Sequence, residues 1–179
     1  MKKLFLGIAI AASSLTFAQQ FGAKAGLNVS NLSNSELNSK AGFYAGVFMN
    51  APLSAQFNIQ PELLYNNLGA KESGYKLNLD YISVPVMFQY KATPQFFLEA
   101  GPQFNVLVSA KAKEGSNSID IKDEVKGFDF GLGLGAGYWF TDKIGANARY
   151  VAGLTDIVKD NEGSAVKNNG FQIGLNYKF

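Results

Sequence analysis

The chain has 179 residues, enough for one domain, with 16 basic and 14 acidic side chains and a formal charge of +2. It contains neither cysteine nor histidine. These absences exclude disulfides, histidine metal sites and a Ser-His-Asp triad, and we expect neither a metal nor a cofactor.

The N-terminus has the pattern of a Sec-type signal peptide. Lys2 and Lys3 form a positive region, Leu4 to Ala12 form an apolar run, and small residues precede a cleavage site after Ala18. The run is shorter than the about 20 residues of a membrane-spanning helix, which argues against the alternative of an N-terminal anchor. Cleavage would leave residues 19–179 with 14 basic and 14 acidic side chains. A neutral mature chain has no basic surplus that would attract nucleic acid.

Eight later segments alternate apolar and polar residues, which is typical of strands with one apolar and one polar face. In chain order these segments are Phe21–Leu32, about Ala41–Asn50, Phe57–Leu68, about Leu77–Tyr90, Phe96 to about Ala110, Gly127–Phe140, Ile144–Leu154 and Phe171–Phe179. No long apolar run follows residue 18. If this chain crosses a membrane, it must therefore do so with alternating strands.

The connections between these strands alternate between tight turns and long polar segments. The long ones are Ser33–Lys40, Gly69–Lys76, Lys111–Lys126 and Thr155–Gly170. This alternation is the outer-membrane pattern, in which both termini lie on the periplasmic side and the long loops are extracellular. We expect the third loop, which is dense in both charge signs, to be a solvated hairpin.

An open sheet edge is not tolerated in hydrocarbon, because each unpaired backbone group costs several kcal/mol. The first and last strands must therefore pair. We predict an all-β fold in which residues 1–18 are the signal peptide. Residues 19–179 form an eight-stranded antiparallel up-and-down transmembrane β-barrel.

The order and spacing of several motifs resemble the eight-stranded OmpA/OmpX-like outer-membrane barrels common in Bacteroidota, often labelled PorT-like. The motifs are Ala41–Phe48, Gln60–Tyr65, Tyr81–Phe88, Gly131–Tyr138, Ala148–Tyr150 and the terminal strand. The resemblance implies an outer-membrane barrel surrounded by outer-membrane lipids. We do not extend the secretion role of the namesake to this chain, because nothing in the sequence marks a secretion component.

The terminal strand carries a second resemblance. Outer-membrane barrels commonly end on an aromatic residue that helps the barrel-assembly machinery recognise its client, and this chain ends on Phe179 with Tyr177 two residues before it. The resemblance implies that both residues form an assembly signal. The barrel-assembly machinery is then a partner during biogenesis, and we expect the folded protein to be a monomer.

Four charged residues lie on the polar faces of the first, third, fifth and seventh segments, namely Lys24, Glu62, Glu99 and Arg149. An eight-stranded barrel is only wide enough for side chains, so charges inside it are nearly dry and need partners. We predict a salt-bridge cluster centred on Arg149 with Glu62 and Glu99. Asp129, nearer the extracellular mouth, is a candidate member. The cluster most simply plugs the barrel, and a gate or proton-linked site is the alternative.

Two patterns that suggest chemistry fail on their context. Glu62 and Glu99 could be a glycosidase carboxylate pair, but a filled barrel offers no cleft for a sugar. The glycine run Gly131–Gly137 loosely matches a dinucleotide fingerprint, but its glycines recur every second residue and no helix follows. We therefore predict no catalytic residue, and no enzyme.

The sequence thus favours a non-enzymatic outer-membrane barrel with a plugged lumen. Its role would be structural, or it would bind an extracellular or periplasmic protein partner, with the four long loops as the expected binding segments. Three alternatives stay open at this point: a narrow pore for small solutes, a lipid-modifying enzyme, and a soluble lipocalin-like periplasmic barrel with apolar residues pointing inward. Lipid-modifying barrels of the kind we would compare use a histidine, which this chain lacks.

Overall fold

The structure, a computed structural model, describes residues 19–34, 37–72, 74–115, 117–159 and 163–179. The expected signal peptide lies outside these residues. Within them, no helix is long and apolar enough to cross a membrane.

Nine β-strands account for most of the described residues. They are β1 (Gln20–Leu32), β2 (Asn38–Pro52), β3 (Phe57–Glu72), β4 (Tyr75–Lys91), β5 (Phe96–Glu114), β6 (Asn117–Asp120), β7 (Phe128–Trp139), β8 (Ile144–Gly153) and β9 (Asn168–Lys178). Every strand pairs antiparallel with its neighbours, and β6 pairs only with the C-terminal end of β5. Following the expected orientation, we call the end of the structure that carries β6 the extracellular end and the opposite end, with the chain termini, the periplasmic end.

The other eight strands form a closed barrel. Strand β1 pairs with β9 from Gly22 opposite Lys178 to Leu32 opposite Asn168, and β4 pairs with β5 along most of its length. Each of the eight alternating segments of the sequence corresponds to one of these barrel strands. The predicted all-β, eight-stranded up-and-down fold and its closure between the first and last strands are confirmed.

The two faces of the barrel wall differ in polarity as the alternation predicts. Leu27 and Leu134 point outward and are 64% and 69% exposed, whereas Asn28, next to Leu27, points inward and is 1% exposed. Since the apolar side chains cover the outside, the lipocalin-like alternative, which needs them inside, is wrong.

The second predicted long connection is a tight turn in the structure. Strand β3 continues to Glu72 and β4 begins at Tyr75, so residues 69–76 belong almost entirely to the two strands. These strand ends extend beyond the outward-facing apolar residues of the barrel wall, and their inner faces pack on an apolar cluster. We call this cluster the apolar cap; its buried members are Leu32, Leu68, Ala70, Leu77, Leu79, Tyr81, Leu107, Ala110, Val125 and Ile157.

Two of the long loops also fold into the apolar cap, so the expectation that residues 111–126 form a solvated hairpin is only half correct. The first part is a hairpin of β5 with the fully exposed β6. The second part turns back through a short 3₁₀-helix, Lys122–Glu124, and buries Val125. Lys126 then donates its N–H to the carbonyl of Ile157 over 2.7 Å, which joins this loop to the β8–β9 loop. Burial of apolar loop side chains outweighs the charge density that suggested a solvated loop.

Candidate functional site

The barrel brings together the four charged residues that the sequence placed on polar faces. Lys24 comes from β1, Glu62 from β3, Glu99 from β5 and Arg149 from β8, and their side chains are at most 1% exposed. We call these four residues the charge cluster. Their burial needs internal pairing, because an unpaired charge in a low-dielectric interior costs several kcal/mol.

Arg149 lies at the centre of the charge cluster and bonds both glutamates. Its Nη1 and Nη2 donate to the two carboxylate oxygens of Glu62 over 3.0 and 2.8 Å, and its Nε donates to Oε1 of Glu99 over 2.7 Å. The guanidinium thus makes one two-pronged and one single ionic hydrogen bond, a geometry that suits its planar fork of donors.

The two glutamates accept further hydrogen bonds from neutral and charged neighbours. Lys24 donates from Nζ to Oε1 of Glu62 over 2.9 Å, and Gln60 donates to the same oxygen over 2.8 Å. Gln89 donates to Oε2 of Glu99 over 3.2 Å. The charge cluster contains two positive and two negative groups, so its formal charges cancel. Each carboxylate oxygen of the two glutamates accepts at least one hydrogen bond.

A glycine makes room for the central contact. Gly135 lies on β7 directly between Glu99 on β5 and Arg149 on β8. A Cβ at position 135 would stand 2.5 Å from the carbonyl oxygen of Ala148 on β8 and 3.1 Å from Oε1 of Glu99. One at Gly133 would stand 3.3 Å from Cδ of Arg149. The alternate glycines of this strand therefore leave space inside the narrow barrel for neighbouring side chains, and they do not form a phosphate-binding loop. The sequence context indicated the same.

A layer of amide side chains lies between the charge cluster and the periplasmic mouth. Asn50 accepts a hydrogen bond from Asn58 over 2.7 Å and donates to Gln60 and Gln89 over 2.9 and 2.7 Å. We call these four residues the amide layer. A polar cavity of about 180 Å³ adjoins the amide layer at the barrel mouth, with Lys91, Trp139 and Lys178 also in its wall.

Sequence reasoning missed the amide layer. Its four residues occupy inward positions of β2, β3 and β4 near the tight turns, which is the signal that could have found them.

Asp129 does not join the charge cluster. Its Oδ1 accepts a hydrogen bond from Thr155 over 2.8 Å, and its Oδ2 accepts one from Asn105 over 3.4 Å. Both partners lie nearer the extracellular end than Arg149 does. Asp129 is thus held by neutral donors in a second polar layer beneath the apolar cap, and no ion pair joins it to any of the described residues.

The two terminal aromatics lie at the periplasmic end of the outer wall. Tyr177 and Phe179 are 46% and 72% exposed, and their ring centroids are 6.1 Å apart. The backbone N–H of Phe179 donates to the carbonyl of Phe21, so β1 holds the last residue of the chain. Both rings face outward, where a membrane interface or a protein can reach them.

Among the described residues, no group of three or more Asp and Glu side chains is arranged to hold a metal ion. Taken together, the lumen contains, from the periplasmic mouth upward, the amide layer, the charge cluster, a second polar layer and the apolar cap. These four layers follow one another along the barrel axis and are made of side chains that the barrel strands and two loops supply.

Comparison with protein families gives one match. Residues 17–159 match the model of a family described as outer membrane protein beta-barrel domain. No curated protein sequence matches the chain significantly.

Comparison with solved structures shows the same fold. Neisserial surface protein A is 16% identical with a TM-score of 0.64, over 90% of this chain and 99% of its own. The attachment invasion locus protein Ail of Yersinia pestis, in complex with the heparin analogue sucrose octasulfate, is 15% identical with a TM-score of 0.56, over 91% and 100%. The outer membrane protein OprG from Pseudomonas aeruginosa is 15% identical with a TM-score of 0.50, over 90% and 96%.

Proposed function

Since this chain belongs to the outer membrane protein β-barrel family, which places it in the outer membrane, we propose that it is a non-enzymatic barrel closed by its own side chains. Its role is then structural, or it binds a protein partner through its extracellular loops. The observation that carries this proposal is the charge cluster, in which four fully buried charges cancel and every carboxylate oxygen is bonded.

The apolar cap supports the same function from the other end of the lumen. Val125 and Ile157 come from two different loops and belong to the same buried cluster as Leu79 and Tyr81 of β4. A solute that passed the charge cluster would have to cross a water-poor layer of side chains. A narrow pore, the main alternative, would need both the charge cluster and the apolar cap to separate.

The proposal includes the route to the membrane. The chain is exported through the signal peptide of residues 1–18, and the barrel-assembly machinery reads the exposed Tyr177 and Phe179 during biogenesis. The folded barrel works as a monomer among outer-membrane lipids and is a PorT-like member of its family. No step of this function needs a metal or a cofactor.

Liposome swelling tests the proposal. Liposomes that contain the refolded barrel should not swell in isotonic solutions of glycine, arabinose or glucose, whereas liposomes with a general porin should. Swelling with the smallest solute alone would support the narrow pore and overturn the plugged barrel. An unheated gel sample of the same liposomes, migrating as a folded band, shows that absent swelling is not absent protein.

A further inference from the structure

A row of lysines crosses the extracellular ends of three neighbouring strands. Lys71 on β3 lies opposite Lys76 on β4, and Lys76 lies opposite Lys113 on β5. Residues directly opposite on paired strands share one face of the sheet, so the three side chains stand side by side at roughly 5 Å spacing. Lys111, two residues before Lys113, adds a fourth lysine to the same face. We call these four residues the lysine face.

The lysine face points away from the barrel axis. The residues between its members, such as Ala70, Leu77 and Ala112, turn inward, and the first two are buried in the apolar cap, while all four lysines are exposed. The face is therefore the outer wall of the projecting strands. It looks sideways, over the membrane surface, and not up from the loop tips.

This arrangement opposes folding, because like charges directly opposite each other on neighbouring strands repel. Two acids share the face. Asp120 lies opposite Lys111, and Asp80 lies on β4 four residues after Lys76, nearer the membrane, where it accepts a hydrogen bond from Asn67. Within the described part of the chain, no ion pair joins any of the four lysines to a carboxylate. Protection of a sheet edge does not explain them either, since β3, β4 and β5 are each paired on both sides here.

The height of the lysine face above the membrane indicates what it meets. Tyr65, Ile82 and Val106 form an apolar row on the same strands, and Lys71 lies six residues beyond Tyr65. Six residues span roughly 20 Å along a strand, or about 15 Å above that row once a strand tilt of about 40° is included. The headgroup layer of a simple phospholipid is only about 5–7 Å deep. The lysines thus stand in the layer that the sugars and phosphates of a surrounding glycolipid would occupy.

We propose that the lysine face binds the phosphate groups of lipopolysaccharide in the outer leaflet around the barrel. Three ammonium groups about 10 Å across match one or two phosphate groups, which supply the missing counter-charge. The sideways orientation favours a lipid neighbour over a soluble polyanion that approaches from above.

The test titrates the full-length mature barrel, in detergent micelles, with fluorescently labelled lipopolysaccharide. The double variant Lys76→Gln/Lys113→Gln should bind at least about tenfold more weakly, because each lost contact is a hydrogen bond to a charged group. The matched control is Lys159→Gln/Lys167→Gln, which removes the same charge from the β8–β9 loop across the barrel from β4. This control should bind within about twofold of the wild type.

Two further arms identify the ligand chemistry. Enzymatically dephosphorylated lipopolysaccharide should bind the wild type as weakly as phosphorylated lipopolysaccharide binds the double variant, and heparin should compete poorly. Equal losses in both double variants would overturn the proposal, as would unchanged binding of dephosphorylated lipid. Heparin that displaces the lipid at equal phosphate and sulfate concentration would overturn it in favour of a soluble polyanion. Folded-band mobility on a gel checks that every variant is intact.

Discussion

At the scale of single residues, Arg149 links the two glutamates of the charge cluster. It bonds Glu62 through two nitrogens and Glu99 through the third, and all three side chains are shielded from solvent. Removal of one member of a buried ionic group leaves an uncompensated charge, which costs far more than the net contribution of the intact group. Arg149→Ala should therefore destabilise the barrel by about 3–5 kcal/mol. The shift from folded to unfolded gel mobility with temperature or urea measures this loss.

Two second-site variants show whether the loss comes from an orphaned carboxylate. In Arg149→Ala, Lys24 still pairs with Glu62, whereas Glu99 keeps only Gln89. Adding Glu99→Gln should recover part of the stability because it removes that lone charge. Adding Glu62→Gln instead should recover none, since it also strips Lys24 of its partner. Equal recovery in the two double variants, or no loss in Arg149→Ala, would mean that water reaches the charge cluster.

The charge cluster shows which part of the site the sequence could predict. Period-2 alternation places each charge on an inward face, and the narrow barrel then requires that opposite charges meet. The position of each charged residue along its strand indicated that Asp129 lies nearer the extracellular mouth than the charge cluster. That position alone did not decide whether Asp129 belongs to the charge cluster. What decided the outcome for Asp129 was the neutral pair Asn105 and Thr155, whose hydrogen-bonding positions depend on strand register.

At the scale of elements, the strands were predictable inside the membrane and less so above it. On β4 the outward apolar residues are Ile82, Val84 and Phe88, at even positions, but Leu77, Leu79 and Tyr81 are apolar at odd positions and point inward. The apolar residues of β4 thus point mainly inward up to Tyr81 and mainly outward from Ile82 onward, although the strand is continuous. This reversal marks where the wall leaves lipid and begins to cover an apolar interior. The alternation of residues in β4 could have predicted this reversal. It was missed because residues 69–76 were assigned to a loop.

The loop that carries Ile157 belongs to the apolar cap and not to the membrane barrel. Ile157 is 2% exposed and Ile119, in the β5–β6 hairpin, is 65% exposed. Ile157→Ala should lower the local stability of the loop by about 2–5 kcal/mol, because a buried apolar side chain leaves a cavity. The β8–β9 loop should then be cut faster by trypsin, while the heat transition of the barrel changes little. Ile119→Ala, the same substitution in solvent, should leave the cleavage rate unchanged; equal acceleration by both variants would contradict the packed loop.

At the scale of the whole molecule, one barrel wall separates the lipid outside from the interior of the barrel. The outer surface presents apolar side chains to lipid, and the interior is polar in the membrane and apolar above it. The resulting barrel has no open edge, so its backbone hydrogen bonds are satisfied in hydrocarbon. The number of barrel strands, their order and the closure of the barrel could be predicted from the sequence. The alternation of residues identifies each strand, and the cost of an unpaired strand edge in lipid requires closure. The apolar cap could not be predicted, because it depends on contacts between loops that are distant in the chain.

Electrical recording in planar lipid bilayers is the most direct measurement of whether the lumen is closed. Each bilayer receives purified barrel whose folded-band mobility has been checked, and a general porin is added at the end to show that insertion and detection work. We expect no steady single-channel openings from the wild type at moderate voltage, since the proposed function has the charge cluster and the apolar cap both blocking the path. Repeated openings of one uniform conductance, before any porin is added, would contradict a closed lumen.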